Sequence, residues 1–389
     1  MVGLCIKSFF SYLLVFLLTT SAVVTAAPNK PPAINANAAI LMDAKTGEVL
    51  FAQNIHKRYA PASTTKVLTA IIAIESGRLE EEVEISLRAA GTGGSSMHLY
   101  AGQKLSLREL VTGLLLRSGN DAAVAIAEHL SGSVEEFVLA MNAKAQSLGA
   151  VNSNFRNPHG LTAVSHYSTA FDLAWISRYA LTNPIFAEIV NTRETTIDWL
   201  DRRGKEKDAN LRNTNKLLWM LEDADGVKTG TTGEAGPCLV SSATRGNQRL
   251  IAVVLHDHSR WQDSMQLLKY GFDSFDIYEY ADAGDIVGPI AVEGGTADAV
   301  DVTINQVAAV IVKPEDYPHV TVELDLPEKI KAPVYQGQKI GEVIFFVRDK
   351  AVKTVDIIST KDVAEQTPTS IFFEHLLYLF RIVSGWGVL

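Results

Sequence analysis

A chain of 389 residues is longer than a single hydrophobic core usually grows, so two folded units are expected, one of them large. Hydrophobic residues at 47% and charged residues at 20% are ordinary for a packed protein and exclude a disordered chain. The net charge of -9, with no Lys/Arg stripe interleaved with aromatics, lacks the basic footprint that nucleic acid demands, and no nucleic-acid partner is expected.

Lys7 precedes an apolar run from Phe9 to Val24 that closes on Val24-Thr25-Ala26, the pattern of a signal peptide (residues 1–26) cleaved after Ala26. A retained anchor is the alternative, but the run is short and ends in small residues rather than charge. Of the two cysteines, Cys5 leaves with that segment, so Cys238 has no partner and no disulfide framework is expected. After a loose lead-in from Pro28 to Pro32, Ala38 to Ala52 reads as a hairpin turning at Asp43-Ala44-Lys45-Thr46-Gly47. Val67, Leu68, Ile71 and Ile72 recur at helical spacing over Thr64 to Ile74, behind Pro61-Ala62-Ser63, with Ser63 as the cap. Leu107 to Leu116, Asp121 to Leu130 and Val134 to Leu148 read as further helices, and Gly119 of Ser118-Gly119-Asn120 breaks the pattern between the first two.

Beyond Asp225-Gly226 the pattern turns to β-type: Cys238 to Ala243 and Leu250 to Leu255 read as paired strands turning at Arg245-Gly246-Asn247, and a helix is expected over Trp261 to Tyr278. The result is an α/β unit in two or three layers, an antiparallel sheet with helices before and after it, over residues 27–280. Residues 283–364 break into short strands at Ile286 to Val292, Val300 to Ile304, Ala308 to Val312, Val320 to Leu324 and Gly341 to Val347, a small all-β domain. Residues 366–389 read as a terminal amphipathic helix, with Phe372, Phe373, Leu376, Leu377, Phe380 and Trp386 set against Glu374, Tyr378 and Arg381. Its length of about 28 Å would suit a span, but charges at its middle favour a helix lying in the membrane surface; a core helix packed on the β domain is the alternative.

Ser63-Thr64-Thr65-Lys66 places a hydroxyl and an amine on one helical face, where the amine can take the serine's proton if burial or another cation lowers its pKa. Taken alone the pattern is weak, and an N-cap beside a solvated lysine is the plain reading. Ser118-Gly119-Asn120 aims two short polar groups from a helix connection, where caps are again the plain reading. Lys228-Thr229-Gly230 opens β-type sequence after a turn and suits an edge strand beside a cleft. The same tripeptide at Lys45-Thr46-Gly47 lies in the hairpin turn ahead of the nucleophile, where a structural role is expected. The nine histidines show no ligand spacing, so neither metal nor cofactor is expected.

In this order, Ser-x-x-Lys, Ser-x-Asn and Lys-Thr-Gly form the set found in penicillin-binding proteins and related β-lactamases. The chain resembles the D-alanyl-D-alanine carboxypeptidases among the low-molecular-mass penicillin-binding proteins, also in Gly94 to Met97, Ala122 to Glu128, Asn157 to Leu161, Tyr167 to Ala170 and Asp225 to Thr232. The resemblance implies a β-lactamase/transpeptidase-like fold for the larger unit. It further implies Ser63 as acylated nucleophile, Lys66 as its base, and Ser118 and Lys228 as proton shuttles to the leaving D-alanine. Asn120 would orient the substrate amide, and the N–H groups of Ser63 and Thr231, beside Gly230, would form the oxyanion hole. Thr229 and Arg260 are the candidates for the substrate's terminal carboxylate, although a solvated arginine is the plain reading of the latter. Lys66 and Lys228 would each disfavour the other's protonation. His159 reads as a structural group of its loop.

The partners so implied are a peptidoglycan stem peptide ending in D-Ala-D-Ala, β-lactam antibiotics as covalent inhibitors, and the outer face of the cytoplasmic membrane, met through the terminal helix. Two departures stand out: no basic residue occurs at Asn213-Thr214-Asn215, and Thr231 stands where some relatives have histidine, so affinity is expected to differ. A β-lactamase is the nearest alternative, against which counts the lack of a Glu-x-x-Leu-Asn segment between the second and third motifs. A binding module without turnover is the other. The reading demands that the side-chain ends at 63, 66, 118 and 228 converge in one groove.

Overall fold

The first strand, β1 (Ala38–Asp43), is buried at every residue, although an antiparallel strand often shows one face to water. The reason lies in the layers on either side of it, seen in the computed structural model, which describes residues 30–200 and 205–367. Ala38, Ile40 and Met42 enter one core, while Ala39 and Leu41 enter a second. Successive side chains point to opposite faces, so a strand between two helical layers needs apolar residues at both parities. Antiparallel β1 and β2 (Val49–Gln53) form the expected hairpin.

The layer over the first face is helical. A single 3₁₀ turn, Ala62–Thr65, leads into α1 (Lys66–Glu75). Ser63 is not its cap, contrary to expectation: the turn begins from Pro61 with no side-chain cap, and the Ser63 hydroxyl is engaged elsewhere. Short elements follow, β3 (Glu82–Glu84), α2 (Leu87–Ala90) and β4 (Lys104–Ser106). Ser106 and Glu109 close a capping box on α3 (Leu107–Leu116), which is followed by α4 (Asn120–Ser131) and α5 (Val134–Ser147) as the periodicity predicts. Next come α6 (Ala170–Leu181), α7 (Pro184–Asn191) and a hairpin of β5 (Glu194–Leu200) with β6 (Glu206–Arg212), none of them expected from the pattern. That hairpin extends β3 and β4 into a sheet ordered β3-β4-β5-β6.

After α8 (Leu217–Met220) the chain completes the main sheet with β7 (Ala224–Thr232), β8 (Gly236–Arg245) and β9 (Gln248–Leu255). The order is β2-β1-β9-β8-β7, so the Lys-Thr-Gly strand is an edge. The second face is covered by α8 and by α9 (Arg260–Ser274), whose Leu267 and Leu268 meet Leu41, Leu250 and Val254. The helix stops at Ser274, short of the expected Tyr278. Phe275 is extended, and β10 (Asp276–Ala281) pairs antiparallel with β13 (Ala308–Val312), so a β-rich sequence continuing an apolar helical stripe is strand after all. The other strands beyond it are β11 (Ile286–Glu293), β12 (Ala299–Ile304), β14 (Val320–Asp325), β15 (Lys329–Lys331), β16 (Lys339–Val347) and β17 (Lys350–Ser359). They form one sheet ordered β14-β16-β17-β12-β11-β15 around Val302, Ile304, Val343, Phe345, Val355 and Ile357. The fold is therefore the expected one, an antiparallel sheet between helical layers followed by an all-β part. The expected signal peptide and terminal helix lie outside the described residues. No helix among the described residues is long and apolar enough to cross a membrane.

Candidate active site

Lys66 is the first residue of α1, and its side chain is fully buried. Nζ lies 2.7 Å from Asn120 Oδ1, 2.7 Å from the His159 carbonyl oxygen and 2.9 Å from Ser63 Oγ. The Asn120 amide is fixed in this orientation because its Nδ2 donates to the Gly93 carbonyl at 2.7 Å. Burial, then the charge of Lys228, hold the Lys66 amine well below the usual lysine range, against a smaller opposing pull from Asp121. A neutral amine has two N–H bonds and one lone pair. Two of its neighbours are oxygens that only accept, so in the neutral form they take both N–H bonds and the lone pair is left to accept from Ser63 O–H, the reverse of the donation that the charged amine makes to Ser63 Oγ. That is the hydrogen bond of a nucleophile and its base.

The turn carrying Ser63 is held in place from both sides. Ala62 has φ 49°, in the left-handed region, and is locked there by its surroundings. Gly160 presses on it so closely that a Cβ there would lie 1.8 Å from the Ala62 carbonyl oxygen. On the other side runs β7, where a Cβ at Gly230 would lie 3.0 Å from Ser63 N and 3.1 Å from Pro61 O. Only glycine lets the strand and the turn approach this closely.

In the second motif Ser118, with φ 63°, makes the left-handed turn between α3 and α4, while Gly119 keeps φ -56° as the cap of α4. The glycine therefore does not break the helix as expected. It is needed for space, since a Cβ there would lie 2.8 Å from both Met97 Cγ and Asp121 Oδ1. Ser118 is buried, and no hydrogen bond among the described residues ties its Oγ to Ser63, Lys66 or Lys228. Asn120 is brought directly to the lysine.

Lys228 is buried on β7, with Nζ 3.3 Å from the Thr229 carbonyl oxygen. Burial and then the Arg260 charge push its amine down to about 7. The expected repulsion between the two lysines thus acts on Lys66, while Arg260 is the cation felt by Lys228. Thr229 Oγ1 lies 3.0 Å from Thr214 Oγ1, and Thr231 Oγ1 donates to the Gly230 carbonyl at 2.7 Å. Arg260, at the first turn of α9, is not a free solvated side chain: its Nη1 donates to Gly230 O at 2.8 Å, Thr231 Oγ1 at 3.0 Å and Cys238 O at 3.2 Å. It is pre-positioned at the far end of the Lys-Thr-Gly strand.

Three contributors escape sequence reading. The His159 carbonyl is backbone, invisible in side-chain patterns; the ring itself, half-buried and held down to about 3 by desolvation, accepts from Leu161 N–H through Nδ1 within its own loop. Asp121 accepts from Ser96 Oγ at 2.6 Å and from the Met97 and Leu99 N–H groups, tying the loop before it to the second motif. Thr214 reaches Thr229, and the flanking Asn213 and Asn215 brace it by donating to Val190 O and Thr192 O and to Gly226 O respectively. No group of metal-ligating side chains occurs among the described residues.

Over residues 24–259 the sequence matches the family described as D-alanyl-D-alanine carboxypeptidase, and over residues 275–365 the one described as penicillin-binding protein 5, C-terminal domain. D-alanyl-D-alanine carboxypeptidase DacF of Bacillus subtilis is 36% identical over 79% of this chain and 81% of its own. DacD of Escherichia coli is 32% identical over 86% and 89%. The crystal structure of penicillin binding protein 5 from Haemophilus influenzae matches with a TM-score of 0.74 at 32% identity, covering 87% of this chain and 100% of that one. With a serine, a buried amine and an edge lysine arranged as described, and with relatives matched along most of its length, the chain belongs to the D-alanyl-D-alanine carboxypeptidase family.

Proposed function

We propose that this chain cleaves the terminal D-alanine from peptidoglycan stem peptides ending in D-Ala-D-Ala, through an acyl-enzyme on Ser63. The observation that carries the reading is the Lys66 amine, buried between two accepting oxygens and 2.9 Å from Ser63 Oγ. Lys66 Nζ takes the Ser63 proton as Oγ bonds to the carbonyl carbon of the penultimate D-alanine. The oxyanion meets the N–H groups of Ser63 and Thr231, which the close approach at Gly230 supports. The C–N bond breaks as the departing amine receives a proton by way of Ser118 and Lys228. Water then attacks the ester with Lys66 again as base, restoring Ser63 O–H and releasing the shortened peptide.

Asn120 orients the substrate amide through the capacity left on its side chain, and Thr229 with Arg260 meets the terminal carboxylate. β-Lactams acylate the same serine as covalent inhibitors. The peptidase unit spans 27–280 and the β-rich unit 283–364. Residues 1–26 export the chain, and residues 366–389 attach it to the outer face of the cytoplasmic membrane. A β-lactamase or a non-hydrolytic sensor is not favoured, because the matched relatives are carboxypeptidases by name along most of this chain. The test is intact-mass analysis after incubation with penicillin, together with D-alanine release from a D-Ala-D-Ala peptide. Both signals are expected from the mature chain and neither from Ser63→Ala; an adduct that persists in the variant overturns the assignment.

A further inference from the structure

Asp121, the second residue of α4, is completely buried, and no basic side chain among the described residues pairs with its carboxylate. Uncharged donors fill its oxygens instead. Oδ1 accepts from the Ala122 and Met97 N–H groups at 3.0 Å each, and Oδ2 from Ser96 Oγ at 2.6 Å, Met97 N–H at 3.0 Å and Leu99 N–H at 3.1 Å. Three of these four donors belong to one stretch, Ser96 to Leu99. The start of the same stretch is bound to the preceding residue of the helix: Asn120 N–H donates to the Ser95 carbonyl at 2.8 Å, and Asn120 Nδ2 to the Gly93 carbonyl at 2.7 Å. Gly94, with φ 86°, lies so close that a Cβ there would be 2.6 Å from Asn120 Nδ2. Gly93, Gly94 and Ser95 are exposed, so the stretch is anchored at its other end, by the Asp121 carboxylate and by the Met97 side chain seated against Gly113.

The amide of Asn120 has an oxygen end and a nitrogen end of nearly the same shape, and its partners alone decide which way it faces. Here the Gly93 carbonyl takes Nδ2 and leaves Oδ1 for Lys66. With the amide reversed, Nδ2 would face the neutral amine and donate to its lone pair, the electron pair that must take the Ser63 proton. We propose that Asp121 is a positioning residue for the Lys66 base: by clasping residues 96–99 it holds the Gly93 carbonyl against Asn120 Nδ2, and so fixes which end of the Asn120 amide meets the lysine. This rests on Lys66 being the base for Ser63. In Asp121→Asn an NH2 group opposes the Met97 or Leu99 N–H, the stretch is released, and the amide of Asn120 loses the partner that orients it. Among the charges facing Lys66, that of Lys228 disfavours its protonation and that of Asp121 favours it. Loss of the Asp121 charge alone therefore frees the lone pair more readily and does not slow acylation.

The experiment measures acylation by a chromogenic cephalosporin on the pH plateau, with intact mass for the slow cases, in the wild-type mature chain, Asp121→Asn, Asn120→Ala and the double variant. Asp121→Asn is expected to acylate about tenfold slower or more, a fraction of the roughly 10²–10⁴-fold that a positioned base supplies, with affinity for the initial complex little changed. In the Asn120→Ala background no amide remains to reverse, and the same change should add less than about twofold, because the two residues act as one unit. Acylation of Asp121→Asn within about threefold of wild type, or equal slowing with and without the Asn120 amide, overturns the proposal. Should Asp121→Asn fail to fold, Ser96→Ala decides, since it removes the 2.6 Å donor and keeps the charge. It should slow acylation about threefold with Asn120 present and not at all in Asn120→Ala; no slowing, or equal slowing in both, also overturns the proposal. A wild-type chain that forms no adduct at Ser63 sinks the carboxypeptidase reading, whereas one acylated no faster than Asp121→Asn sinks only the role of Asp121.

Discussion

Replacing Lys66 by arginine or by methionine separates its two roles, base and hydrogen-bond donor. Arginine is never neutral in a protein, so Lys66→Arg keeps donors for Asn120 Oδ1 and the His159 carbonyl but has no lone pair for Ser63 O–H. A positioned general base contributes about 10²–10⁴-fold, equivalent to roughly 3–5 kcal/mol of barrier, and acylation of Lys66→Arg should fall by that much. Lys66→Met removes the base as well, but also leaves two buried oxygens without donors. At about 1–3 kcal/mol for each unsatisfied group, it should lose roughly 2–6 kcal/mol of stability, partly offset by the buried apolar chain. The assay is stopped-flow acylation by a chromogenic cephalosporin, paired with denaturant unfolding of each variant. A variant that acylates within about threefold of wild type refutes the lone-pair argument. Loss of rate in Lys66→Met alone would mean that the donors matter and the lone pair does not.

Lys228 binds its proton more weakly folded than unfolded, so the unfolded chain holds more protons between about 7 and 10.5 and stability should rise with pH across that window; in Lys228→Met, followed by urea unfolding at stepped pH, this component of the rise should be absent. Gly160→Ala forces a Cβ against the Ala62 carbonyl at a φ of +87°, and should cost more than about 2 kcal/mol and slow acylation, as thermal melting and adduct formation would report. Thr214→Val removes the hydroxyl facing Thr229, with an expected stability cost of about 0.5–1.5 kcal/mol and a raised KM for the peptide at nearly constant kcat.

How much of this was legible depends on which interaction wrote the signal. Helices α3, α4 and α5 follow from apolar periodicity and caps, because their apolar faces meet one core. The end of α9 was misread because Leu267, Leu268 and Phe272 continue into Phe275 and Tyr278 at spacing a helix would also use; pairing with β13, distant in sequence, decides for strand. The β5–β6 hairpin alternates in burial, with Ile197 and Leu211 turned inward, but Thr195 and Ala209 share that face, so its pairing leaves few apolar marks. In the site, the residue types of the three motifs were readable and their geometry only in part. Ser118 rather than Gly119 bends the backbone, because the space beside Met97 and Asp121, not the turn, demands glycine. No composition reveals that a backbone carbonyl at His159 completes the shell around Lys66.

The two copies of Lys-Thr-Gly show why a short motif carries chemistry only through its place in the fold. At the first, Asp43 Oδ1 accepts from the Lys45 and Thr46 N–H groups and from the Thr46 hydroxyl, and Gly47 turns the chain with φ 76° against the Trp175 ring. Lys45 Nζ pairs with Glu279 at 2.6 Å and Asp282 at 3.0 Å, joining the hairpin to the strand that leads into the all-β part. Carboxylates raise its pKa, so the amine stays charged and cannot serve as a base. At the second copy the lysine is buried without a carboxylate beside it and near Arg260, which drives its pKa the other way. The same three residues therefore give a permanently charged tether in one place and a titrating amine near neutral pH in the other. The difference comes from an edge strand whose glycine fits against Ser63 in one case and a half-buried hairpin turn packed on Trp175 in the other.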